Sequence, residues 1–497
     1  MDPSDEDLSS NIDDLMPNQK VASQCEISYT AMSINEAPKL ILKQEGKKLP
    51  QYVATLSVCL GSLAAGAVLG WTGNISEDMK SESYRGISID DDSLGWIGSM
   101  ATLGAAFGCI PIGKLCDQLG RKKAMLYLTI PFMIGWILII FPQSLTMIYV
   151  GRFLTGMAGC AFCVSTPIYT CEIAEKSIRG ALGSFFDLSL TVGILLAYIV
   201  PIFASMLVHT ICMSILPIFF VIVFIFQPES PTYTIKINKE KKARTDLIRL
   251  RGSKYDIEPE IEIIKKECLV DDCSKISFVE TIKKKGTQKA FIICFSIMFF
   301  QQAGGINAVI FYSGTIFETC GSTLDPKLAT LVLGVMQMIA TFIASAFVDK
   351  IGRRVLLICS NAIVTLSGLV LGFYFTLKER SLVSTDTISA LGFLPVISLS
   401  VFVTLFSLGM GPIPWLLSTE LFPSEVKSLG TGLAATINWL TAFFVTKFYL
   451  DLENAIGGDN TFYMFSVISL FGTLFIYFYL PETKGKALLE IQAELNR

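Results

Sequence analysis

Charge is scarce in this chain and histidine is nearly absent. Of 497 residues only 17% are Asp, Glu, Lys or Arg and one is His, against 52% hydrophobic. A soluble chain normally carries about 25% charged residues, so composition argues against a set of water-surrounded domains. Glycine-rich phosphate loops are missing, which removes nucleotide-driven chemistry. No nucleophile–base pair and no His/Cys spacing of a metal centre occurs either, so neither an enzyme nor a cofactor or metal is expected. A net charge of −3 offers no basic surface for nucleic acid. The thirteen cysteines are scattered, mostly within apolar segments, and read as small buried hydrophobes. A cleavable signal sequence is also lacking: residues 1–50 are polar and acidic-rich, the pattern of a disordered cytosolic tail.

Long apolar runs are what the chain does have. Tyr127–Phe141, Leu195–Phe226, Val355–Phe375, Leu391–Leu408 and Phe462–Leu480 are near the ~20 residues a helix needs to cross a bilayer. Splitting them at charged or Pro/Gly breaks predicts an all-α polytopic membrane protein with about twelve transmembrane helices in two six-helix halves. The halves fall at 51–227 and 290–480. A basic, Glu-rich linker at 228–289 carries Leu247, Leu250, Ile257, Ile261 and Ile264 at helical spacing, which predicts amphipathic helices lying on the surface. Residues 481–497 form a second tail. Basic residues of the short loops (Arg121–Lys123, Lys176, Arg179, Arg353, Arg354, Lys484, Lys486) fall on one side, which predicts both termini and the linker to be cytosolic. The sequon Asn74-Ile-Ser76 falls in the first outside loop and is a candidate glycosylation site.

The halves carry matching punctuation. "GKLCDQLGRKKA" follows the second span and "FVDKIGRRVLL" the eighth, giving Asp117/Gly120/Arg121 and Asp349/Gly352/Arg353. "YTCEIAEKSIRG" follows the fourth span with Glu172 and Arg179, and "STELFPSEVKSLG" the tenth with Glu420 and Lys427. "PESPTY" and "PETKG" close the two halves. Such pairing in the same order predicts a duplicated unit with its site near the midplane between halves. Together with Arg152, the charged residues of these motifs are expected to form a cytosolic gate network. Pairs near solvent contribute about 1 kcal/mol or less each, so a set of them can break and re-form.

Residues 301–312 read "QQAGGINAVIFY". Amides in hydrocarbon are costly unless they find partners or face a cavity. Gln301, Gln302 and Asn307 can direct donors and acceptors into a central chamber, while Gly304 and Gly305 weaken the helix where it must bend. An amide both donates and accepts, so it can meet an uncharged polar solute without carrying charge itself. Gly411, Pro412 and Pro414 break another span in the same way, and Trp415 follows that break. A single polar residue in a span can equally be packing glue between helices, and His209, alone of its kind, reads as structural.

These segments together resemble the sugar porter family of the major facilitator superfamily over residues 50–490. "GSLAAGAVLGWTGNI" and "ELFPSEVKSLGTG" are similar to the insect branch that includes facilitated trehalose transporters, and the whole resembles facilitative glucose transporters. The resemblance implies that Gln301, Gln302, Asn307 and Asn438 contact sugar hydroxyls, with Trp415 and Phe406 beside them. It also implies a single-chain transport unit in the lipid of the plasma membrane, carrying trehalose or a hexose by alternating access. Departures surround the site: Asp187 replaces the family's span-five glutamine and is expected to be a sugar contact in its place, Gln337 stands for an asparagine, Ser407 for a glutamate and Thr232 for an arginine. Proton-coupled members typically carry a carboxylate in span one, where this chain has Val68, so uniport is expected. The alternatives left open are a proton symporter using Asp187 and a sugar receptor that does not transport.

Overall fold

The computed structural model describes residues 46–82, 84–175, 177–274, 278–321, 324–423, 426–486 and 488–496. The first half holds α1 (Lys48–Gly70), the short α2 (Ser76–Glu82), α3 (Asp91–Leu119), α4 (Arg121–Ile140), α5 (Leu145–Ile173), α6 (Arg179–Phe203) and α7 (Met206–Phe224). Four shorter helices follow: α8 (Pro231–Lys236), α9 (Glu240–Arg251), α10 (Glu258–Ser274) and α11 (Phe278–Lys283). The second half begins with α12 (Lys285–Ala303), α13 (Ile306–Cys320), α14 (Pro326–Ile351), α15 (Arg353–Glu379) and α16 (Thr385–Ala390). It continues with α17 (Leu394–Leu405), a π-helical turn Phe406–Met410, α18 (Ile413–Leu421), α19 (Lys427–Tyr479) and the terminal α20 (Leu488–Asn496).

Ten of the described helical segments are long and apolar enough to cross a membrane, and α3, bent by 50° around Pro111, adds an eleventh. Proline removes a ladder hydrogen bond and crowds the preceding turn, which accounts for the bend. One of the ten is α19, whose 53 residues would reach about 80 Å as a straight helix, far beyond a hydrocarbon layer of about 30 Å. Gly457 breaks it at φ 89° and ψ 158°. Tyr449 and Phe465 on either side of the break then stack at 6.4 Å, so the chain has turned back. The described chain therefore crosses twelve times.

Small residues set the packing. A Cβ on Gly66 of α1 would sit 1.9 Å from Leu190 O of α6, and one on Gly193 of α6 would sit 2.1 Å from Leu63 O of α1. Gly104 of α3 and Gly156 of α5 lock in the same reciprocal way. Without a hydrophobic drive between lipid-solvated helices, such close backbone approach provides the dispersion contact. Between the halves, α3 packs on α19 and α6 on α14. The linker helices bury Ile235, Leu247, Ile257, Ile261 and Ile264 against one another. Arg251 ties them to the end of α5 through Ile173 O at 2.8 Å.

One expectation about the tails needs correcting, that disorder extends through residue 50. Residues 46–50 are ordered: Lys47 N donates to Arg251 O and α1 starts at Lys48; residues 1–45 lie outside the described residues. In the segment after Leu480, α20 buries Ile491 and Leu495 in the second half's core, and Gln492 bonds Leu421 O.

Candidate functional site

The amides of "QQAGGIN" meet where two broken helices face each other. Gly305, with φ 91°, ends one helical segment and lets α13 start in a new direction. Across from it, Pro414 has no N–H to give Met410 O four residues earlier. Gln301 supplies the missing donor: its Nε2 lies 2.6 Å from Met410 O and 2.8 Å from Gly411 O. Asn438 Nδ2 then donates to Gln301 Oε1 at 2.5 Å, Gln302 Nε2 to Asn438 Oδ1 at 2.9 Å, and Asn307 Nδ2 to Gln302 Oε1 at 2.9 Å. The four predicted amides thus form one relay, all of them buried. Leaving such a group unpaired costs about 1–3 kcal/mol, which holds the relay together.

Trp415 packs against a buried cluster that joins Trp439 of the second half to Cys109 and Cys160 of the first. Phe406 begins the π-helical turn and packs against both large cores. Gly411, Pro412 and Pro414 lie in the break between that turn and α18. On the other wall, Asp187 is half-buried on α6. Gln337 of α14 is buried with its Oε1 unpartnered.

At the face carrying the repeated basic motifs (the basic face), one construction occurs twice. Gly120 (φ 93°) and Gly352 (φ 110°) have open α-carbons that Glu229 and Glu482 approach; a Cβ there would lie 2.6 and 2.9 Å from a carboxylate oxygen. Glu229 accepts from Lys122 N at 2.9 Å, and Glu482 from Arg353 N at 3.0 Å and Arg354 N at 3.1 Å. The carboxylates of "PESPTY" and "PETKG" therefore cap the N-termini of α4 and α15, where helix dipoles favour anions.

The gate network differs from its expected pairing. Glu172 binds Arg121 at 2.8 Å, and Arg121 also reaches Asp117 at 3.1 Å; among the described residues Arg179, seven residues on, hydrogen-bonds only Ala174 O. Glu420 takes Arg353 at 3.2 Å, and Lys427 is exposed. The turn after α5 carries Arg179 outward, so the motif cation of the neighbouring loop fills its place. Asp349 falls outside the described side chains. Among the described residues no ion pair at this face joins the halves.

Arg152 is the plainest correction. It lies twenty residues before Glu172 on α5, about 30 Å away along the helix, and so cannot belong to the basic-face network. It is fully buried. Its Nε donates to Ile97 O at 3.0 Å and its Nη1 to Val68 O at 2.9 Å, with the guanidinium 5.1 Å over the Trp71 ring.

At the opposite face the halves are laced together. Gly314 N donates to Gly73 O at 2.9 Å, Tyr198 Oη to Ile310 O at 2.8 Å, and Ser76 meets Thr315 at 3.0 Å. Lys327 pairs with Asp78, and Lys447 with Asp92, both at 2.7 Å. None of these residues stood out in the sequence except as loop or apolar positions. Asn74 is drawn into the same seam: only 4% exposed, its Nδ2 donates to Tyr198 O at 2.8 Å. That nitrogen is the atom a glycan would occupy, so the packed state contradicts a glycosylated Asn74. Toward the basic face, by contrast, Gly113, Gly180, Gly183 and Gly432 face open space. The halves part there.

Twelve crossings in two halves, with an amide relay buried in the second, define a multi-pass membrane protein. The family described as "Sugar (and other) transporter" matches residues 54–495, and this chain belongs to it. The facilitated trehalose transporter Tret1 of Polypedilum vanderplanki is 34% identical over 446 residues, 90% of this chain and 88% of that protein. The transporter of the same name in Anopheles gambiae is 36% identical over 90% of this chain and 56% of its own length, so this chain spans about half of it. Among solved structures, the xylose transporter XylE of E. coli in a partially occluded inward-open conformation superposes with a TM-score of 0.73. It shares 21% identity over 88% of this chain and 99% of that one. At that identity the likeness speaks for the fold.

Proposed function

We propose that this chain carries trehalose or a hexose across the plasma membrane by facilitated diffusion. The two halves, 51–227 and 290–480, rock about the chamber between them, with the linker 228–289 and both termini in the cytosol. A single chain is the working unit. The basic face is then the cytosolic one, and the present conformation is open inward. The observation that carries this reading is the relay Asn307–Gln302–Asn438–Gln301. It ends on the carbonyls of a broken helix, so a hydroxyl-rich solute that exchanges bonds with the relay can loosen or tighten the break.

Uniport is favoured over proton symport by the surroundings of Arg152. The α1 atom it binds is a backbone carbonyl, Val68 O, and among the described residues no carboxylate pairs with its guanidinium. The relatives' names, facilitated trehalose transporters, point the same way.

Uptake of labelled trehalose and glucose into vesicles containing the purified protein tests the proposal. Saturable uptake that survives a protonophore is expected. No uptake of either sugar above protein-free vesicles overturns transport and leaves a receptor; uptake abolished by the protonophore overturns uniport.

A further inference from the structure

Two charged side chains lie deep in the described bundle, away from both charged rims: Arg152 and Asp187. Arg152 is committed to the carbonyls of Val68 and Ile97 and to the Trp71 and Phe311 rings. Asp187 has no such commitment. Among the described residues it makes no hydrogen bond and no ion pair. It is the ninth residue of α6, beyond the first turn in which a helix N-terminus favours an anion. Its neighbours are thiols, Cys59 of α1 and Cys163 of α5, both within electrostatic reach. Cys163 lines a void of about 10 Å³ that it shares with Val68, Leu69 and, from the other half, Trp439. Asp187 thus lies on α6 beside residues of α1 and α5, one of which, Cys163, meets the second half at Trp439.

The opposite wall cannot neutralise it. Gln301, Gln302, Asn307 and Asn438 are uncharged, and each spends an amide nitrogen on another member of the relay or on a carbonyl. Asp187 therefore keeps its charge and its spare acceptors while these amides are spent on one another. While the basic face is open, water solvates the half-buried carboxylate. When the halves close around a substrate that water is expelled, and a buried unpaired anion is costly. A neutral sugar returns hydroxyl dipoles alone. A sugar bearing an ammonium group returns a full opposite charge and three donors, and so lowers the cost of closure.

We propose that Asp187 makes protonated amino sugars preferred substrates of this carrier, by pairing with the substrate ammonium in the chamber. This rests on the sugar-transport reading above and specifies its substrate class. Pairing acts most strongly in the closed state, so the preference is expressed in the rate of transport. A charged hydrogen bond gained over a neutral one corresponds to about tenfold.

The test uses the full-length protein in vesicles at neutral pH, with labelled glucosamine, glucose and N-acetylglucosamine. The wild type is expected to take up glucosamine faster than glucose, and an inside-negative potential to speed glucosamine but not glucose. Asp187→Asn is expected to lower the glucosamine-to-glucose ratio about tenfold and remove the potential effect. Asp187→Glu, which keeps the charge, is expected to restore much of the ratio. Should Asp187→Asn fail to assemble, saturating glucosamine competition against labelled glucose in the wild type, with N-acetylglucosamine as the neutral control, decides the question. Glucose uptake with no glucosamine preference, or a ratio unchanged in Asp187→Asn, overturns the proposal and leaves sugar transport intact. So does glucose uptake driven by a pH gradient and lost in Asp187→Asn, because the cation is then the proton. If no sugar crosses at all, the transport reading itself fails.

Discussion

At the opposite face the halves touch through backbone, Gly314 N on Gly73 O, and through the pairs Lys327–Asp78 and Lys447–Asp92. At the basic face Arg121 and Arg353 spend their guanidinium groups inside their own halves, on Glu172 and Glu420. The same interaction type thus does two jobs. Contacts between halves bias which way the chamber opens. Contacts within a half hold the helix ends that must move as one body. The first set is expected to respond in transport at nearly constant stability, the second in stability first.

The largest effect expected is at Arg121. Arg121→Gln leaves Glu172 without its cation, with the two side chains only 9% and 15% exposed; breaking such a pair costs about 3 kcal/mol or more. Thermal unfolding in detergent is expected to fall clearly. It is expected to fall less for Arg353→Gln, whose partner Glu420 is 23% exposed and keeps a hydrogen bond from Thr483. Equal losses would erase the distinction between the two half-networks. Next is Gly314→Val. A Cβ there lies 2.9 Å from Gly73 O, and crowding of that kind costs about 1–3 kcal/mol. Flux is expected to drop roughly tenfold or more while the unfolding temperature holds. A parallel loss of both would place Gly314 among the folding contacts instead.

Lys327→Met removes one half-exposed ion pair across the seam. At about 1 kcal/mol or less, it is expected to change the inward–outward balance, read by thiol labelling at introduced cysteines, no more than about fivefold. The smallest effect concerns Asp90, which caps α3 at the opposite face by accepting from Ser93 N at 2.9 Å. The hydroxyl and amide of Ser93 hold its carboxyl below the ordinary range. A depressed folded-state value contributes stability above the unfolded-state pKa, lost as pH falls through the folded one. Asp90→Ala is expected to cost about 1 kcal/mol at neutral pH and nothing once the wild-type carboxyl is protonated. A mutant deficit that persists in acid would show that the cap is not electrostatic.

Hydropathy and punctuation carried most of the fold, because a bilayer demands long apolar helices and glycine turns wherever they occur. The amide cluster was legible for a related reason: neutral polar groups in such helices need either partners or a chamber, and Gln301, Gln302, Asn307 and Asn438 found each other. Partner choice was not legible. Glu172 has a cation seven residues away and binds one 51 residues away, since the loop turn, which spacing does not encode, directs Arg179 outward. Arg152 was misplaced because residue type suggested a network that its depth on α5 forbids. Asn74 and Tyr198 belong to a seam between halves, and a seam leaves no local signature: their bonds reach from 74 to 198 and from 198 to 310.

The central claim is that one chamber serves both faces in turn. Exchange measures this most directly: labelled sugar uptake into vesicles preloaded with the same unlabelled sugar, against empty vesicles. An alternating chamber returns faster when loaded, so preloading is predicted to accelerate labelled uptake. Uptake that rises linearly with concentration and ignores preloading would mean an open pore, and would contradict the account.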